Sequence, residues 1–150
     1  MLTKYGVLNY TLWYYDDRNP GNLNGQEGEI DPLCVDRINL LCEKMQAQIV
    51  ISSDWRIATN YKERLERAGL KNIIDKTPVT LFGTYGSTYH FTRGEEIQMW
   101  LEWHPATKNY VIIDDRDDMT CEQLSHFVKV NPYRGFTDDD LEKAMQILDK

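Results

Sequence analysis

Cysteine is scarce, cations are outnumbered and no long apolar run occurs, and each shortage removes a class of explanation. The three cysteines, Cys34, Cys42 and Cys121, are odd in number and widely spaced, which indicates neither a disulfide framework nor a zinc site. Two of them sit in helix-like patterns, where a thiol serves as a small hydrophobe. No stretch approaches the roughly 18 apolar residues of a membrane span. The N-terminus lacks the basic, apolar, small-residue order of a signal peptide, so a cytosolic protein with no membrane attachment is expected. Lys and Arg total 17 against 24 Asp and Glu, a formal net charge of -7. That balance opposes loose attraction to polyphosphate, which needs clustered cations to release counterions. Any nucleic-acid contact should be local, at an end or a single nucleotide.

What is present suits one globular unit, since 150 residues with 41% hydrophobic content can bury a core as a single domain, 1–150. Residues 1–9 read as a short first strand turning at Gly6. Residues 10–31 are aromatic and then rich in Asn, Pro and Gly, which predicts a lid or substrate-facing loop. Asp31-Pro32 opens a helix with an N-cap and a proline at its first position, and Val35, Ile38, Leu41, Cys42 and Met45 recur at helical spacing. Gln48 to Ser52 forms the next strand, residues 59–68 a charged amphipathic helix closed by Gly69, and Lys71 to Asp75 a further strand. Residues 76–92, with threonines, glycines and aromatics out of helical period, predict a second loop over the site. A helix begins at Arg93 and is ended by Pro105, a strand covers 110–114, and a short helix near 120–126 leads to a strand at 127–130. Thr137 with Asp140 starts the last helix. The alternation predicts a three-layer α/β sandwich with a mostly parallel, Rossmann-like sheet.

In such a sheet the ligand site lies at the carboxyl ends of the strands. Two strands end in polar clusters, Ser52-Ser53-Asp54 and Asp114-Asp115, and right-handed crossovers bring both to one edge. The run Tyr110-Val-Ile-Ile-Asp-Asp-Arg-Asp-Asp118 drives a buried strand into four carboxylates, which suits a hard cation such as Mg²⁺. The competing reading is a solvated acidic turn. Ser52 and Ser53 can offer hydroxyls and backbone N–H groups to a phosphate, although serine at a strand end is more often turn chemistry. Arg56 and Arg93 can hold phosphate, or pair structurally, Arg93 with Glu95 or Glu96. Trp13, Tyr14 and Tyr15 suit stacking on a nucleobase. Trp55, Trp100 and Trp103 suit interior packing. His104 and His126 are expected at the surface and His90 as a marginal site contact; no metal-ligand spacing links the three.

Taken together, Ile49-Val-Ile-Ser-Ser-Asp-Trp-Arg56, Arg93-Gly-Glu-Glu-Ile-Gln-Met-Trp-Leu101 and Tyr110 to Asp118 resemble the second, third and fourth motifs of the haloacid dehalogenase (HAD) superfamily. The likeness is greatest to small HAD domains of RNA-repair and polynucleotide 3′-phosphatase type. It implies that Ser52 binds the transferring phosphate, that Arg93 stands where a basic residue stabilises it, and that Asp114 with Asp115 or Asp118 holds Mg²⁺. Gly6-Val7-Leu8-Asn9 resemble the second half of the first motif, Asp-x-Asp-Gly-Val-Leu-Asn. In that register Thr3 occupies the place of the attacking Asp and Tyr5 that of the acid/base Asp. A carboxylate attacks directly at neutral pH, whereas a threonine hydroxyl needs a base, and none is evident beside Thr3. The resemblance therefore implies a pocket that binds a phosphorylated nucleotide or nucleic-acid end without efficient turnover. The alternatives are an active Mg²⁺-dependent phosphohydrolase using a displaced carboxylate from Asp114, Asp115, Asp117 or Asp118, with Asp16 and Asp17 as more distant substitutes, and a protein-interaction module anchored by Trp13, Tyr14 and Tyr15.

Overall fold

A computed structural model describes residues 7–8, 11–19, 30–82 and 89–150. The expected first strand lies mostly outside them; its last described residues, Val7 and Leu8, are buried in the core.

Helix α1, Pro32–Met45, starts where the sequence predicts. Asp31 accepts the Leu33 N–H at 2.9 Å, and Pro32 takes the first position, where its missing N–H costs nothing. Its inner face presents Cys34, Val35, Ile38, Leu41 and Cys42, and it stops where Gln46 turns left-handed at φ 52°. Both of its thiols are hydrophobes here: burial pushes Cys34 up to about 11 and raises Cys42 as well. Strand β1, Ile49–Ile51, is buried throughout and pairs in parallel with β2, Ile73–Lys76. Between them α2, Tyr61–Arg67, turns Leu65 inward, and Gly69 ends that excursion at φ +106°, a conformation that disfavours a side chain.

The second half repeats the plan. Helix α3, Arg93–Trp103, carries a reciprocal capping box between Thr92 and Glu95. Strand β5, Ile112–Asp114, crosses through a 3-10 helix at Cys121–His126 to β6, Phe127–Lys129, which lies parallel with Lys129 level with Asp114. Thr137 and Asp140 form the expected capping box of α4, Asp138–Leu148, which packs on α1 and β6. The architecture is α/β with small parallel sheets: among the described residues the parallel ladders are β1–β2 and β5–β6, with no ladder joining them. One hydrophobic core nevertheless includes Ile51, Ile113 and Val128 from both pairs, together with Val7, Leu8 and Phe136. No described helix is long and apolar enough to cross a membrane.

Several expectations change. The stretch 76–92 is not wholly a loop, because β3, Leu81–Phe82, and β4, Tyr89–His90, form a short antiparallel ladder. Thr11–Tyr15 is a 3-10 helix, not an open loop, and it buries Trp13 in the core. Trp103, expected in the interior, is 61% exposed on the last turn of α3, while Trp55 and Trp100 are buried. His104 and His126 are half-buried stacking partners of Trp100 and Tyr110, with ring centroids 4.0 and 4.1 Å apart.

Phe136 ties these parts together: its ring is fully buried and its N–H donates to the Val7 carbonyl at 2.8 Å. Phe136→Ala is expected to cost about 3–5 kcal/mol and Trp103→Ala less than about 0.5 kcal/mol in urea unfolding. Equal losses would contradict this assignment of the core.

Candidate functional site

Strand β1 delivers Ser52 and Ser53 to the carboxyl edge, and β5 delivers Asp114; all three are fully buried. Both edges are fixed by the ladders, since Thr77 N–H donates to Ile51 O at 2.9 Å and Val130 N–H to Asp114 O at 2.8 Å. What joins the two edges is Arg93, the first residue of α3. Its guanidinium lies 3.4 Å from Asp54, which follows β1, 3.6 Å from Asp114, which ends β5, and 3.8 Å from Glu96 one turn along its own helix. Of the expected structural pairings for Arg93, the one with Glu96 is present, buried and not at the surface, and the guanidinium also faces both strand ends.

The start of α3 is held very close to the segment after β5. Arg93 N–H donates to the Asp118 carboxylate at 3.1 Å, and Gly94 N–H to the Asp118 carbonyl at 3.2 Å. Buried Gln123 bridges the same gap, donating to Gly94 O at 2.8 Å while accepting the Thr120 N–H at 3.0 Å. Only glycine fits there. A Cβ at Gly94 would meet Gln123 Oε1 at 2.7 Å, Thr120 N at 2.7 Å and Asp118 O at 2.8 Å.

Arg56 is not placed as a phosphate ligand. Its buried guanidinium donates to the carbonyls of Ser52, Ser53 and Pro78 and to the Glu96 carboxylate. Burial lowers its pKa and the Glu96 charge opposes that shift. Glu96 also accepts the Thr80 N–H at 3.2 Å and hydroxyl at 3.0 Å. The pair thus clamps the Ser52-Ser53 turn to the strand-like segment 77–80. Removing one partner of such a buried pair costs about 3–5 kcal/mol.

Beside this clamp, in which Arg56 Nε also lacks a partner among the described residues, lies an unsatisfied group. Ser52 Oγ, Ser53 Oγ, Thr77 Oγ1, Arg93 Nε and NH1, Asp114 Oδ2 and Asp118 Oδ1 are buried and have no hydrogen-bond partner among the described residues. Each such atom costs about 1–3 kcal/mol if left unmade, so donors and acceptors gathered this way mark a place built for a polar ligand. Burial pushes the Asp114 carboxyl up to about 7, with Asp115 adding to the rise, against the Arg116 N–H at 2.9 Å and the charge of Arg93. Asp118 spends its other oxygen on Arg93 N–H and on the Arg116 guanidinium at 2.8 Å. For a cation the donor chemistry fits, because the free atoms of Asp114 and Asp118 are hard oxygens. Among the described residues, however, no group of three His, Cys, Asp or Glu is arranged to hold a metal. Two carboxylates suit Mg²⁺, which keeps waters and shares its shell with a substrate phosphate.

The remaining expected residues scatter. Thr3 and Tyr5 lie outside the described residues, as do the side chains of Tyr14 and His90. Trp13 is packed in the core, with Arg18 over its ring, and so cannot stack on a ligand as expected; Tyr15 is 78% exposed. Asp117 pairs with Lys129 at 2.6 Å and Asp16 with Arg18 at 2.8 Å, which turns both away from the role of substitute carboxylate. Asp17 is exposed and Asp115 half-buried beside Asp114. Thr77, Thr80, Gly94 and Gln123 are absent from the sequence-based expectations for the site, and Glu96 was expected only as a partner of Arg93. Gly94 alone carried a readable sign, as a helix-disfavouring residue in the first turn of a helix.

A family model described as the HAD domain in Swiss Army Knife RNA repair proteins matches residues 5–141. No curated protein and no solved structure gives a significant match.

Two measurements follow from this geometry. Gly94→Ala is expected to destabilise by about 1–3 kcal/mol, since two of the three clashing atoms are backbone; unchanged urea stability would contradict the close approach. In Mg²⁺-free buffer the folded protein retains the Asp114 proton to about pH 7, whereas the unfolded chain releases it near pH 4. Stability contributed by this group is therefore present below about pH 4 and lost as the pH rises towards 7. Wild type should fall relative to Asp114→Asn across that window by up to about 4 kcal/mol, and a difference independent of pH would contradict it.

Proposed function

The chain belongs to the family of HAD domains found in Swiss Army Knife RNA repair proteins, and on that premise we propose that it holds the phosphate of a phosphorylated nucleotide or nucleic-acid end with little or no turnover. One observation carries the reading. A buried set of unpartnered hydroxyls, a guanidinium and carboxylate oxygens gathers at the carboxyl edge, while Thr3 and Tyr5 stand where family resemblance puts the attacking and the acid/base carboxylates.

In this reading the Ser52 and Ser53 hydroxyls and Arg93 bind phosphate oxygens, with Arg93 already oriented by Asp54, Glu96 and Asp114. Asp114 Oδ2 and Asp118 Oδ1 would hold Mg²⁺, which when bound neutralises phosphate charge. Arg56 and Glu96 keep the serine turn in place without touching the ligand. The step that fails is attack on phosphorus: a Thr3 hydroxyl is protonated at neutral pH and needs a base to become nucleophilic. Retention without release suits sequestration or sensing. The net charge of -7 favours a single nucleotide or a chain end over a long polymer. We take residues 1–150 as one domain acting in the cytosol, with a three-layer, Rossmann-like α/β arrangement. A second reading, active Mg²⁺-dependent hydrolysis, is favoured by one feature only: the buried oxygens of Asp114 and Asp118 that would hold the metal.

Restoring the carboxylates separates the two. Thr3→Asp with Tyr5→Asp is expected to release phosphate from 3′-phosphorylated oligonucleotides in Mg²⁺, while wild type binds them and releases none. Multiple turnovers by wild type that vanish in Asp114→Asn would overturn the binding-only reading.

A further inference from the structure

Two residues beyond β6 the chain makes a tight turn, Asn131-Pro132-Tyr133-Arg134-Gly135, whose first four residues are exposed while Gly135 and Phe136 are buried. Its backbone is tied down throughout. Asn131 O accepts from Arg134 N–H at 3.1 Å and Gly135 N–H at 3.0 Å, the Asn131 side chain accepts the Tyr133 N–H at 2.9 Å, and Gly135 adopts φ 71°. The turn is also fastened to the start of the chain, because Tyr133 O accepts the Leu12 N–H at 3.1 Å and Phe136 N–H donates to Val7 O. A rigid base thus displays a tyrosine that is itself 61% exposed.

Its position relates it to the phosphate pocket. Strand β6 runs parallel to β5 with Lys129 opposite Asp114, and Val130 N–H donates to Asp114 O, so the chain leaves the ladder at the carboxyl edge. Three residues span at most about 11 Å, which places Tyr133 within a nucleotide's length of the Asp114 level. The same lip carries an exposed cation, Arg134, while the half-exposed Lys129 and Arg116 are held in ion pairs with Asp117 and Asp118. An aromatic face held on a fixed backbone beside cations is what a nucleobase and its flanking phosphates require, and little conformational entropy remains to be lost on binding.

We propose that Tyr133 is the stacking platform for the base of an unpaired terminal RNA nucleotide whose phosphate enters the pocket of Ser52, Arg93 and Asp114. The inference rests on the phosphate-holding reading of that pocket and adds to it a contact for the base of the terminal nucleotide. It also moves the stacking role away from Trp13, which the core consumes.

The test measures anisotropy of a labelled RNA trinucleotide, with and without a 3′-phosphate, beside calorimetry with inorganic phosphate. Tyr133→Ala is expected to weaken the phosphorylated trinucleotide roughly 5- to 100-fold and to leave inorganic phosphate affinity unchanged. Tyr133→Trp should bind as wild type, with its fluorescence quenched by RNA. Trinucleotide binding by Tyr133→Ala within about twofold of wild type would overturn the proposal, as would absence of any trinucleotide binding by wild type. If wild type binds both trinucleotides equally and ignores inorganic phosphate, the phosphate reading fails, while loss in Tyr133→Ala still upholds the platform. The residue is exposed, and unchanged thermal unfolding confirms that the variant is folded.

Discussion

A buried guanidinium set among three carboxylates is the constraint on which the carboxyl edge depends. Arg93 lies between Asp54 after β1, Asp114 at the end of β5 and Glu96 on α3, and so fixes the relative position of two parallel strand pairs that share no ladder among the described residues. Burying one charge alone costs several kcal/mol, and here each ion offsets the desolvation of the next. The arrangement stays incomplete: Asp114 is held near neutrality by burial, and Arg93 keeps donors without hydrogen-bond partners among the described residues. An anion and a hard cation would each relieve part of that cost.

Around this centre the polar residues divide into those that are satisfied and those that are not. Glu96 and the two terminal nitrogens of Arg56 are used on backbone carbonyls, on Thr80 and on each other, while Arg56 Nε has no partner among the described residues. The adjacent hydroxyls of Ser52, Ser53 and Thr77 have no hydrogen-bond partner among the described residues. A rigid, satisfied shell holding an unsatisfied inner set is how a binding site keeps its geometry before the ligand arrives. Gly94 serves the same end, letting α3 approach the 118–123 segment so closely that Arg93 reaches both strand ends.

Much of this was legible in the sequence, and the failures have physical causes. Apolar runs that end in polar clusters located β1 and β5, and local signals at Asp31-Pro32 and Thr137-Asp140 located the helix starts, because capping involves residues two or three apart. The fate of Arg56 was not legible. Beside two serines it resembles a phosphate ligand, but its partners Pro78 and Glu96 lie 22 and 40 residues further along. Trp13 misled for a similar reason: its neighbours suggest a loop, and only packing with residues distant in sequence shows it to be core. Trp103 erred in the opposite direction, following the apolar stripe of α3 in composition while facing outward on its last turn. Thr77 and Thr80 carry no local signal, and Gln123 shows only its capping box with Thr120, while its bridge to Gly94 is a long-range contact.

The likeness to the HAD family thus survives in the frame, with strand ends, the basic residue at the head of α3 and the acidic turn brought to one edge, and departs at the two positions where chemistry would begin. On the proposed reading, Thr3 and Tyr5 in the places of the attacking and acid/base carboxylates remove turnover while the phosphate site is kept. Phosphorus NMR of wild type with a 3′-phosphorylated RNA trinucleotide and Mg²⁺ tests that claim most directly. A phosphomonoester resonance that shifts or broadens with protein, with no inorganic phosphate accumulating, is the predicted result; growth of the inorganic phosphate signal beyond one equivalent of protein would contradict it.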